Sequence, residues 1–192
     1  MKNALRFDTV VAACALLMSS VTAGAMVYQT RVLQDQFSAT VWPYLSVNMF
    51  YGTHNLELHL TNQGVGPALV RSAQLVVDGK PMLGWDRRFF STVFGKHALS
   101  TKDPLQDESV DASTALRAGD DLTLLKMRMR RSGVIAGALA HDVSLRLCYC
   151  SINSRCWKLQ SSTRSAQPSV PQPVSACTEH YSIGAPTSGL ID

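Results

Sequence analysis

LRLCYCSINSRCWKL, residues 145 to 159, places Cys148, Cys150 and Cys156 within nine residues. The reading of these thiols decides what kind of fold the chain adopts. Side chains alternate along a strand, so Cys148 and Cys150 share one face about 6.7 Å apart, too far to pair with each other. Ser151 to Arg155 has the length and composition of a turn. Closing it sets Cys150 opposite Cys156, at a cross-strand Cα separation of about 4.5 to 5.5 Å that suits a disulfide. Cys148 is then left with Cys177, which lies in a Ser-, Pro- and Gln-rich tail that begins at Ser161. A Cys148–Cys177 bridge would tie that tail to the sheet. An even set of cysteines read this way predicts an exported domain in an oxidising compartment.

Two other readings of the sulfurs stay open. Cys148, Cys150, Cys156 and Cys177, with His180 nearby in sequence, are a candidate zinc or copper set, although C-x-C lacks the C-x-x-C knuckle that wraps two thiolates around one ion. A catalytic thiol would need a depressed pKa and a positioned base, and no neighbour of Cys148 in sequence supplies one.

The chain on either side of the hairpin is β-rich. Tyr44 to Phe50, Leu56 to Leu60, Ala68 to Val77, Asp121 to Met129, Asp142 to Cys150 and Cys156 to Gln160 read as six strands, with a further short one within Asp111 to Leu116. Alternation carries these readings: Leu56, Leu58 and Leu60 point one way, Glu57 and His59 the other. Asp78-Gly79 suits a tight hairpin turn, since glycine tolerates positive φ. Trp85 to Phe94 spaces Trp85, Phe89, Phe90 and Val93 as a short crossover helix, and Gly95 to Glu108 reads as loop. About seven strands with no repeated βαβ rhythm predict a mainly β fold, an immunoglobulin-like antiparallel β-sandwich.

Thr9 to Tyr28 carries no charge over twenty residues, and a helix of that length spans about 30 Å of hydrocarbon. Lys2 and Arg6 precede it, whereas Arg31 and Asp35 offset each other after it, so the positive-inside bias puts the N-terminus in the cytoplasm. Ala23-Gly24-Ala25 satisfies a signal-peptidase rule, and Val11-Ala12-Ala13-Cys14 resembles a lipoprotein box, but the apolar run continues past both. An uncleaved anchor is therefore expected. The predicted organisation is a cytoplasmic segment 1–8, a transmembrane helix 9–28, a helical stalk 29–40, a periplasmic β-sandwich 41–160 and a Ser/Pro-rich tail 161–192 tied down at Cys177.

The net charge of +4 is spread along the chain, so no nucleic-acid partner is expected. Lys126, Arg128 and Arg130 alternate with Leu125, Met127 and Met129, and Arg131 follows. This stripe reads as a solvated edge strand, or as a contact for anionic headgroups or an envelope polymer. Asn62-Gln63-Gly64-Val65-Gly66-Pro67 is no phosphate loop, since Pro67 lacks a donor and a strand follows; it reads as a strand connection whose glycines take unusual φ. The histidines His54, His59, His97, His141 and His180 form no metal or protease motif. Neither catalysis nor a cofactor is expected.

In order along the chain, Val41-Trp42-Pro43-Tyr44, Asn62-x-Gly64-x-Gly66-Pro67-Ala68, Val77-Asp78-Gly79-Lys80-Pro81 and Cys148-Tyr149-Cys150-Ser151 with Cys156-Trp157 resemble a group of uncharacterised bacterial proteins. The resemblance runs from about residue 5 to 180 and implies one N-terminal membrane helix and a periplasmic β-rich domain. The expectation is a non-enzymatic interaction module of the inner membrane with a protein partner in the envelope. A metal-binding module on the four cysteines and a hydrolase without a recognisable motif are the alternatives.

Overall fold

A computed structural model describes residues 2–52, 55–95, 105–128, 140–165 and 169–184. It divides into two units, 1–40 and 41–192. The first is a single helix, α1 (Lys2–Thr40). From Thr9 onward it is long and apolar enough to cross a membrane, with a mean hydropathy of 2.1 over its best window. Val10, Leu16, Leu17, Met18 and Val21 are all more than half exposed, so the helix is not the core element of a globular fold. The segments read as anchor and stalk are one uninterrupted helix.

Among the described residues the second unit comprises ten strands and a short helix: β1 (Leu45–Tyr51), β2 (Asn55–Asn62), β3 (Ala68–Val77), β4 (Lys80–Met82), α2 (Arg87–Val93), β5 (Leu105–Asp107), β6 (Ala115–Leu116), β7 (Asp121–Arg128), β8 (Val143–Cys150), β9 (Cys156–Ser162) and β10 (Gln172–Val174). One sheet runs β1-β2-β7-β5 and the other β10-β9-β8-β3-β4, with the short β6 also on β3. All strand pairs are antiparallel. These are the A-B-E-D and G-F-C-C′ orders of an immunoglobulin-type sandwich, to which β10 adds a strand beyond G. Leu56, Leu60, Leu124 and Met127 of the first sheet share one buried cluster with Val70, Leu75, Leu145, Leu147 and Leu159 of the second. Burying these apolar inner faces against each other is what holds the layers together.

Asp78 (φ 48°) and Gly79 (φ 79°) form the tight β3–β4 turn. α2 crosses between the sheets as expected: the Asp86 side chain caps it by accepting from Phe89 N at 2.8 Å, and Phe89, Phe90 and Val93 face the core.

Three expectations are corrected. The stretch read as loop, 95–108, contains β5, an edge strand paired with β7. Consequently β7 lies between β2 and β5 rather than at an edge, and its cations cannot be an edge-protecting device. The domain also does not stop at 160. β10 pairs with β9, Tyr181 exchanges contacts with Ser72 and Ala73 where β3 is bulged, and Ile183 is 1% exposed and bridged to Val110. Ala73 N lies just past this bulge, and the C-terminal segment supplies its acceptor.

The glycine-rich connection between β2 and β3 works differently from its reading too. Neither Gly64 nor Gly66 has positive φ. A Cβ on Gly64 would collide with the backbone of Trp42 and Tyr44, and one on Gly66 with that of Val41. Both are glycine because residues 41–44 pass directly against the turn. Asn62, fully buried, joins the two segments. Its Oδ1 accepts from Tyr44 N (3.2 Å) and Gly64 N (3.0 Å), and its Nδ2 donates to Gly66 O (2.8 Å) and Leu116 O (3.1 Å). Replacing Asn62 with Ala strands these buried groups, each costing about 1–3 kcal/mol when unpaired. The expected loss of stability for Asn62→Ala is about 3 kcal/mol in denaturant unfolding followed by tryptophan fluorescence; a loss below about 1 kcal/mol would contradict this role.

Candidate functional site

β8 uses both of its faces. Leu145, Leu147 and Tyr149 point into the sandwich, while Ser144, Cys148 and Cys150 on the outer side are buried as well. The β8–β9 turn, closed by Ser151 N to Arg155 O (2.8 Å), sets Cys150 opposite Cys156, and their Sγ atoms lie 2.09 Å apart. Cys148 Sγ is 1.97 Å from Cys177 Sγ. Both are disulfide distances and match the expected pairing. The C-terminal segment is thereby laid over the outer face of β8.

The two bridges touch: Cys150 Sγ and Cys177 Sγ are 3.8 Å apart. The Sγ atoms of Cys150, Cys156 and Cys177 fall within 4.8 Å of one another, a spacing that three thiolates around one soft ion would also satisfy. His180 is exposed and is not among these converging donors. With both bridges closed the sulfurs are bonded to each other and offer no thiolate. Tyr149, on the opposite side of β8, is fully buried and stacks on Trp157 with ring centroids 5.7 Å apart. Burial pushes its phenol up to about 12, and the neutral hydroxyl accepts from Leu45 N at 3.3 Å, linking the two sheets.

The cationic stripe has a different neighbourhood from the one expected. Lys126 and Arg128 are exposed and Met127 is buried, as alternation requires; Arg130 and Arg131 lie outside the described residues. Lys126 pairs with Glu57 across the β2–β7 ladder at 3.0 Å. Glu57 also meets His59 Nε2 at 3.2 Å, and His59 Nδ1 meets Asp121 at 2.7 Å. Hydrogen bonds from Lys126 and then His59 hold Glu57 below the ordinary carboxylate range. Burial works against charge on His59, yet hydrogen bonds to Asp121 and Glu57 carry it above the ordinary imidazole value. Lys126 is thus part of a mixed-sign network. Since carboxylates take both ring nitrogens of His59, that ring has no nitrogen left to serve a nucleophile.

At the end of the sandwich where the chain enters, three apolar side chains reach solvent. Val65 in the β2–β3 turn is 65% exposed, Ile152 in the β8–β9 turn 49% and Trp42 45%. Val65 N donates to Trp42 O at 3.0 Å, so these two segments are adjacent. Sequence reasoning did not single these residues out as an exposed apolar group, although a Val between two glycines and an Ile in a polar turn were visible signals.

No family, curated protein or solved structure matches this chain.

The two disulfides should contribute unequally. They join residues 29 and 6 apart, for which the chain-entropy estimate is about 3.5 and about 2 kcal/mol. Cys177→Ser should therefore lower the melting temperature more than Cys156→Ser, and should open the chain to proteolysis between Gln160 and Ser175. Equal shifts with no new cleavage would show that the C-terminal segment is held without its bridge.

Proposed function

We propose that this chain is a non-enzymatic interaction module of a bacterial inner membrane, anchored by α1, with its N-terminus in the cytoplasm and its immunoglobulin-like domain in the periplasm. The observation that carries the reading is the pair of adjoining disulfides on the central strand β8. Such bonds persist in an oxidising compartment and are reduced in the cytosol, so an apolar helix followed by a doubly bridged sandwich reads as anchor and exported cargo. The resemblance in the Trp42-Pro43-Tyr44, Asn62-x-Gly64-x-Gly66 and Cys148-Tyr149-Cys150 motifs supports the same address. Trp42, Val65 and Ile152, clustered on adjoining turns, form the patch offered to a protein partner, in the manner of a sandwich that binds through its end loops.

The convergence of Cys150, Cys156 and Cys177 favours one second reading, a zinc- or copper-binding module that works with the bridges reduced. A phosphatase reporter fused after Asp192 should be active and a fluorescent reporter that matures only in the cytoplasm should stay dark. A photo-crosslinker at Ile152 should capture a protein that one at Arg128 does not. The reverse reporter pattern would overturn the address, and no adduct at Ile152 in growing cells would overturn the partner surface.

A further inference from the structure

At the end of the sandwich away from Trp42 and Val65, the two sheets and α2 line a partly open cavity of about 190 Å³. Met49, Leu58, Trp85 and Val143 are among its walls, and the hydroxyl residues Ser161, Ser162, Thr163 and Ser165 also line it. Among the described residues no charged side chain lines it. Trp85 is 1% exposed, and its Nε1–H has no hydrogen-bond partner among the described residues.

We propose that this cavity binds a small uncharged molecule with an apolar body of six to eight carbons and one acceptor oxygen, which takes the hydrogen bond that Trp85 Nε1 offers. The size follows from comparison: an apolar cavity of about 150 Å³ holds one benzene molecule, so this volume takes a ring or a short alkyl chain. Uncharged walls exclude an ion, whose desolvation nothing here would repay. A buried indole N–H normally finds an acceptor, and leaving it without one is destabilising. A mostly apolar pocket with a small number of polar groups is the usual design of a small-molecule site. The proposal does not depend on the membrane address or on the partner patch, since the cavity belongs to the sandwich alone.

The test is a titration of the full chain in lipid nanodiscs, read from the indole N–H resonance of Trp85, which Trp85→Phe identifies by its disappearance. 2-Heptanone and acetophenone, an alkyl and an aromatic ketone, serve as probes; n-heptane and toluene are their counterparts without an acceptor. Saturable shifts of the Trp85 resonance by a ketone, with binding about five- to tenfold tighter than its hydrocarbon, are expected, and whichever ketone binds better assigns the body as chain or ring. Trp85→Phe should remove that preference, and Val143→Phe should fill the space and abolish saturable binding; Met49→Phe serves if Val143→Phe does not fold. Absence of a saturable shift with either ketone at millimolar concentration would overturn the proposal, as would equal binding of ketones and hydrocarbons.

Discussion

β8 is the strand on which the domain depends, because both of its faces carry buried side chains. Its inner face supplies Leu145, Leu147 and Tyr149 to the core, and its outer face is closed by Cys148–Cys177 and Cys150–Cys156. A strand of an antiparallel sandwich ordinarily leaves its outer face to water. Here the C-terminal segment covers that face, pairs β10 with β9, and ends with Ile183 in the core. A segment too poor in apolar residues to fold alone is ordered by one covalent bond and a few backbone contacts.

The opposite side of the sandwich is organised by hydrogen bonds. Asn62 ties residues 44, 64, 66 and 116 together, and Gly64 and Gly66 let the start of the domain pass at backbone contact. The Tyr149 hydroxyl adds a link from β8 to β1. The Trp-Pro-Tyr start, the Asn-x-Gly-x-Gly turn, the Asp-Gly hairpin and the cysteine hairpin are thus structural joints. Their grouping says how such a domain is closed, and the chemistry of its partners must come from the surfaces between them.

Much of this was legible in the sequence, and what was legible is local. Alternation located β2, β3, β7, β8 and β9 to within two residues, the Asp78-Gly79 pair gave its turn, and turn length with strand parity selected both cysteine pairs. What was missed depends on partners far away in the chain. β5 is three residues long and is a strand because β7 lies beside it; nothing in Leu105-Gln106-Asp107 distinguishes it from loop. The edge reading of Lys126 and Arg128 failed for the same reason. Packing of the C-terminal segment rests on the β3 bulge and on Ile183, and the role of Gly64 and Gly66 on residues 41–44, none of which a window of sequence contains. The cavity beside Trp85 likewise exists only once α2 is seated against both sheets.

The measurement that tests the account most directly is peptide mapping of the full-length protein, purified without reductant, alkylated without reduction and digested. The account predicts one peptide pair joined through Cys148 and Cys177 and a second bridge between Cys150 and Cys156, with only Cys14 alkylated. Cys148 joined to Cys156, or all four thiols free, would contradict the doubly stapled β8 and the oxidising address inferred from it.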